Sequence, residues 1–257
     1  MGVSALAVAF GLLGGFVVGP WLARAVQRWI GWRVVLPLML GWVPAWSAVS
    51  LREVGAPVER APHRQAVSVA TGLLFAVVGL RVGWSAALVP VLVLVAGLVA
   101  VSAVDLLCWR IPARFVYLTG LGALAGMVAA ALVAGEPRSL VGAAAGAGVY
   151  LSVLGGMHLI APGQMGFGDV RLGGLIGLVV GWIGWDADHP IGASLSWALF
   201  ALTLASFVGA VAGVVVLVLR RRARRLSGRV WREAYPFGPW LCAGAVAAIL
   251  AAAPGVF

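Results

Sequence analysis

The chain has 257 residues, 63% of them apolar and only 10% charged, with a mean hydropathy of +1.07. A water-soluble domain is nearer half apolar and a quarter charged, so these figures exclude one and point to a polytopic membrane protein. The net charge of +10 rests on 18 basic residues, all arginine; in a membrane chain such charge sets topology, so no nucleic-acid partner is expected.

The apolar runs are continuous and rich in Leu, Val, Ala and Gly rather than alternating, so they read as helices and not as barrel strands. The expected fold is an all-α polytopic bundle of about eight transmembrane helices. Their predicted ranges are 3–20, 66–80, 84–104, 115–134, 139–160, 170–185, 192–219 and 238–256. The opening stretch "MGVSALAVAFGLLGGFVVGP" lacks a basic start and reads as a first span, not as a removable leader.

Between the first two runs lies 32–50, "WRVVLPLMLGWVPAWSAVS", which is apolar but interrupted by Arg33, Pro37 and Pro44. Arginine placement decides how to read it. If 32–50 does not cross and the N-terminus is outside, one side carries Arg24, Arg28, Arg33, Arg52, Arg60, Arg64, Arg110, Arg114, Arg171 and the arginines of "RRRARRLSGRVWR" (220–232). The other side carries only Arg81 and Arg138. The arginine-rich side is expected to face the cytoplasm, with the basic loop 220–232 touching anionic lipid. A crossing at 32–50 would weaken this bias, so none is expected there.

Two cysteines, Cys108 and Cys242, form no CxxC pair, and no two histidines have ligand spacing, so neither a metal nor a redox motif is indicated. Both cysteines read as small packing residues. His158, late in the span 139–160, reads as a histidine satisfied at a helix end. Most of the 12 tryptophans fall at span ends, where an aromatic belt accounts for them.

Of the eight acidic residues, Glu53, Glu59, Glu136, Asp186, Asp188 and Glu233 lie in expected loops. Asp105 and Asp169 differ, because one closes the apolar run "LVPVLVLVAGLVAVSAVD" and the other opens "VRLGGLIGLVVGWIGW". Ionisable groups at such places are expensive and are candidates for function. In the topology above both stand at the cytoplasmic edge, on different helices. Asp105 is near a helix C-terminus, where the helix dipole and apolar neighbours disfavour a charge. Asp169 is at a helix start, where free N–H groups favour the anion, so it is expected to be the ionised member. Two carboxylates with opposed tendencies can share one proton: one acts as general base on a water, and the other polarises a scissile carbonyl. That chemistry needs no metal or cofactor. Two plainer readings stand beside it: Asp169 as an ordinary helix N-cap, and Asp105 paired with Arg110 or Arg114. Gly166 and Gly168, in "GFGDVRL" (166–172), leave the backbone bare for another chain to approach and permit positive φ.

These residues resemble a known family. "GFGDVRL" resembles the GxGD motif of intramembrane aspartic proteases in the form used by bacterial type IV prepilin peptidases. "VDLLCWRIP" (104–112) resembles that family's first aspartate motif, ending at Pro112; "YPFGPWL" (235–241) resembles its C-terminal PFGP segment; "ATGLLFAVVGLRVG" (70–83) resembles the span that opens its catalytic half. The motifs keep the family's order over about residues 65–250. The resemblance implies an aspartic endopeptidase of the inner membrane. It would remove the leader from type IV pilin-like precursors, which carry a basic leader and a hydrophobic helix, just before that helix and on the cytoplasmic side. It implies Asp105 and Asp169 as the catalytic pair, with Gly166 and Gly168 supporting the loop. Pro112, Arg171, Pro236, Phe237, Gly238 and Pro239 stand on the substrate side or in structural turns. The chain departs from the family where many members carry two CxxC pairs and methylate the new N-terminus: residues 21–65 contain no cysteine, and Ser68 replaces an acid often found three before "TGLLF". The expected organisation is therefore a first span and degenerate cytoplasmic segment over 1–65 and a membrane-embedded peptidase domain over 66–257, with neither zinc nor methyltransferase activity.

Two other readings are carried. A presenilin-like or signal-peptide-peptidase-like enzyme would have mid-span aspartates and usually a tyrosine beside the first, whereas Val104 precedes Asp105 here. A proton-coupled transporter would use both acids as relays but should show broken helices in matching halves, and none is evident.

Overall fold

The computed structural model describes residues 2–39, 62–108, 111–161, 165–224 and 237–252. Among them the regular elements are helices: α1 (Gly2–Met39), α2 (Pro62–Val82), α3 (Leu88–Cys108), α4 (Ala113–Val133), α5 (Ser139–Ile160), α6 (Phe167–Ile183), α7 (Pro190–Arg224) and α8 (Gly238–Ala252). The expected all-α bundle is what forms, and the helix positions follow the expected spans closely from α2 onward.

α1 departs from expectation. Its first apolar run was expected to stop near residue 20, yet the helix continues through Arg24 and Arg28 to Met39. Residues 21–36 contain no proline, and Ala, Arg, Gln and Leu are good helix formers, so nothing in the chain stops the helix. Arg24 also bonds back to the carbonyl of Pro20 at 3.2 Å. At 38 residues α1 is roughly 57 Å long, well beyond a bilayer core of about 30 Å. The first part of 32–50 therefore prolongs α1, and residues 40–50 lie outside the described residues.

Among the described residues, five helical stretches are long and apolar enough to cross a membrane unaided: Val8–Arg28, Leu88–Leu106, Ala113–Val133, Ser139–Ile160 and Pro190–Val216. This is a multi-pass membrane protein. The apolar part of α2 (Ala66–Val82) is shorter, as are α6 with 17 residues and α8 with 15, roughly 22–26 Å of helix each. So among the described residues fewer helices reach full spanning length than the eight runs suggested. α6 does not need to, because protein rather than lipid surrounds it. It packs against α3, α4, α5, α7 and α8, and from Val170 to Ile183 most of its residues are buried.

Lipid supplies no hydrophobic drive for helix association, so close backbone approach matters. Glycines spaced by four provide it twice. Gly11, Gly15 and Gly19 of α1 face Phe75, Gly72 and Ser68 of α2, and a Cβ on any of the three would collide with them. Gly142 and Gly146 of α5 meet Gly181 and Gly177 of α6 in the same way. Trp182 departs from the aromatic-belt reading: it is fully buried, and its Nε1–H donates to Ser139 Oγ at 3.0 Å.

Candidate active site

The C-terminal end of α3 and the N-terminal ends of α6 and α8 lie at one end of the bundle, joined by the Gly238–Asp105 hydrogen bond and by Ile111, which packs at Gly168 and Gly238. Asp105 lies in the last turn of α3 and is only 4% exposed. Its Oδ2 accepts the backbone N–H of Gly238, the first residue of α8, at 3.1 Å. A buried carboxylate requires such a donor, because lost hydration must be replaced. Of the two arginines considered as plainer partners, Arg114 is exposed and Arg110 lies outside the described residues.

Asp169 is not the N-cap of α6. Gly166 takes that place with φ −70° and ψ 139°, and Asp169 stands in the first turn with its N–H on the Gly166 carbonyl at 3.0 Å. It precedes the apolar run that begins at Val170 and lies outside the five crossing stretches. The helix start does not lower its carboxyl as expected. Burial first, and the charge of Asp105 second, push its carboxyl up to about 6, against the opposing pull of the N–H groups of Gly166 and of Asp169 itself. Desolvation outweighs the helix terminus here. Ile111 links the two acids, remote in sequence: it packs at Gly168, beside Asp169, and at Gly238, whose N–H holds Asp105.

Gly166 and Gly168 differ in what surrounds them. Neither uses positive φ: among the described residues that conformation belongs to Gly83 and Gly135, in the turns at the far ends of α2 and α4. Gly166 is exposed, and a Cβ there would stand 3.2 Å from Asp169 Oδ2. At Gly168 the space is filled by this chain's own Ile111, whose Cβ would be 2.9 Å from a Cβ on Gly168.

The remaining candidates divide. Arg171 lies with its guanidinium over the Phe167 ring at 4.5 Å and 5.7 Å from the Tyr117 ring, so it ties α6 to α4 through aromatic faces. Pro112 is the N-cap of α4, and its carbonyl accepts the N–H groups of Phe115 and Val116 at 3.1 and 3.3 Å. Phe237 turns inward: a Cβ on Gly209 would meet its ring at 3.1 Å, and its carbonyl accepts the N–H groups of Trp240 and Leu241. Pro239 is half-buried, and Pro236 lies outside the described residues.

Three neighbours of the pair were missed or underread in the sequence. Ile111 touches the spaces at both Gly168 and Gly238. His158 is satisfied at its helix end as expected, but through the carbonyl of Met165 at 2.8 Å, so it clasps the loop that leads into Gly166. Cys242 is buried, bonded to the Ser102 side chain, and close enough to both aspartates to feel their charge. Its position one turn after Gly238 was the available signal. Among the described residues no three His, Cys, Asp or Glu side chains gather as a metal site.

No family model matches the chain, and no solved structure does. Two curated proteins are similar to it. One, from Myxococcus xanthus, is named prepilin leader peptidase/N-methyltransferase and is 32% identical over 201 residues, which is 76% of this chain and 52% of that protein. Another of the same name, from Bacillus subtilis, is 30% identical over 188 residues, 72% of this chain and 64% of that protein. The chain thus spans about half to just under two thirds of the length of these relatives. Over the stretch that it shares with them, the chain is similar to these two prepilin leader peptidases/N-methyltransferases.

Proposed function

We propose that the chain is an aspartic endopeptidase that removes the leader of type IV pilin-like precursors at the cytoplasmic edge of the inner membrane. The observation that carries this reading is that Asp105 and Asp169 lie on either side of Ile111, which packs at both Gly168 and Gly238, with each acid partly or wholly removed from water. Two buried carboxylates in mutual range cannot both be charged cheaply, so they hold one proton between them. The ionised member takes a proton from water as it attacks the scissile carbonyl, and the protonated member gives a hydrogen bond to the developing oxyanion. Gly166 is exposed beside Asp169, so an extended substrate backbone has access there without meeting a side chain. The sequence-derived topology puts most of the arginines on the side of Asp105 and Asp169, which agrees with a cytoplasmic orientation. The proposed activity is peptidase alone. Residues 21–65 carry no cysteine, and no methyl transfer is expected from this chain.

The test is cleavage of a precursor bearing a basic leader and a hydrophobic helix, in membranes or detergent. Asp105→Asn and Asp169→Asn, made singly, should each abolish product formation while the protein accumulates normally. Full cleavage by either variant would sink the reading.

A further inference from the structure

We infer that Gly238 is a positioning residue for the reaction: its backbone N–H holds Oδ2 of Asp105 in place, and its missing side chain is what lets that carboxylate in. The inference rests on the peptidase reading above and deepens it. It gives the PFGP segment a task inside the site rather than in a connecting turn.

Hydrogen bonding at the start of α8 leaves this N–H as the available donor. The first backbone N–H groups of a helix have no acceptor within it and must find one elsewhere. Of the first four positions of α8, Pro239 has no N–H, and Trp240 and Leu241 donate to the carbonyl of Phe237 at 3.1 and 3.2 Å. That leaves Gly238, whose N–H donates to Asp105 Oδ2 at 3.1 Å across 133 residues of sequence. The proline that follows the glycine therefore has a role, since it adds no competing donor beside Asp105.

The space around Gly238 points the same way. A Cβ there would stand 2.7 Å from Asp105 Oδ2, closer than a carbon and a carboxylate oxygen can pack, and 3.3 Å from Ile111 Cδ1. Any other residue would push the carboxylate off the N–H or pull α8 away from α3. Gly238 is buried, and Phe237 beside it packs against the core, so these two members of the segment are turned into the protein.

Steady-state cleavage of a precursor by the full chain in detergent tests this. Gly238→Ala should lower kcat by about tenfold or more with KM held within about twofold, because the lost element acts in the transition state and not in binding. The double variant Gly238→Ala/Ile111→Val separates the two contacts: valine lacks Cδ1, so it relieves the crowding of Ile111 and leaves the clash with Asp105. The double variant should remain as slow as the single one. Cell-free translation with glycolic acid at 238 replaces the N–H by oxygen without adding bulk, and it should also lower kcat at unchanged KM. This variant decides the matter if Gly238→Ala does not fold. Recovery of kcat by Ile111→Val, a rise in KM at preserved kcat, or full activity of the glycolate protein would each overturn the inference. A wild-type chain that cleaves no precursor, or an active Asp105→Asn, would instead overturn the peptidase reading.

Discussion

Ile111 fills the space that Gly168 leaves open: a Cβ on Gly168 would lie 2.9 Å from the Cβ of Ile111 and 3.6 Å from its two γ-carbons. The residue that ends the connection from Asp105 is therefore seated against the residue that precedes Asp169. Gly168→Ala must displace either Ile111 or the first turn of α6. Overpacking of this kind costs about 1–3 kcal/mol, and here the strain falls next to a proposed catalytic residue. The expected outcome is a lowered unfolding temperature in detergent together with a loss of about tenfold or more in kcat, read by precursor cleavage. Wild-type activity in this variant would show that the seating of Ile111 is not needed.

Much of this arrangement was legible in the sequence. Helix type and order could be read because long apolar runs leave no other option in lipid. The two acids stood out because charge at a membrane edge is costly. What the sequence hid was three-dimensional. Helix-end rules favoured an ionised Asp169, but the surrounding packing desolvates it, and no local pattern encodes that. Gly168 suggested room for a foreign chain, but the room belongs to Ile111, which no spacing rule could assign. Gly238 looked like a turn residue, because a backbone N–H has no side-chain signature. α1 was cut short because a hydropathy reading ends where arginines begin, although nothing there ends a helix.

The carboxyl of Asp169 makes stability depend on pH. It is raised from 3.8 to about 6, chiefly by burial. A carboxylate whose folded value is raised contributes stability that is fully present below the unfolded value and is lost as pH rises through the folded one. Asp169→Asn removes this dependence. The variant should therefore resist unfolding better than the parent at pH 8, by at most about 3 kcal/mol, and the difference should close as pH falls towards 4. Denaturant midpoints in detergent at several pH values check this. Equal stability at pH 8 would show that Asp169 is not held in its desolvated setting.

The loop before Asp169 should answer to His158. Its Nδ1–H donates to the Met165 carbonyl at 2.8 Å, and its ring lies 5.5 Å from the Phe167 ring. His158→Ala removes the clasp at a cost of about 1 kcal/mol and should reduce kcat severalfold by loosening the entry to α6. Asparagine carries an N–H near the Nδ1 position, so His158→Asn should recover most of the loss. If alanine and asparagine variants behave alike, the hydrogen bond is not what orders the loop.

Stability and activity should separate at the other end of α6. Ser139 donates to the Glu136 carbonyl at 2.7 Å and accepts the Trp182 Nε1–H at 3.0 Å, and both Ser139 and Trp182 are fully buried. Ser139→Ala leaves the indole N–H without this acceptor, which costs about 1–3 kcal/mol when the group cannot reach water. Trp182 is almost four helical turns beyond Asp169, roughly 20 Å along the axis, so the loss should not reach the carboxylates. The variant should unfold at a lower temperature or denaturant concentration while its kcat, measured well below that point, stays within about twofold of the parent. A matching fall in kcat would mean that α6 transmits strain along its length, and the bundle end that holds the acids would then depend on packing far from it.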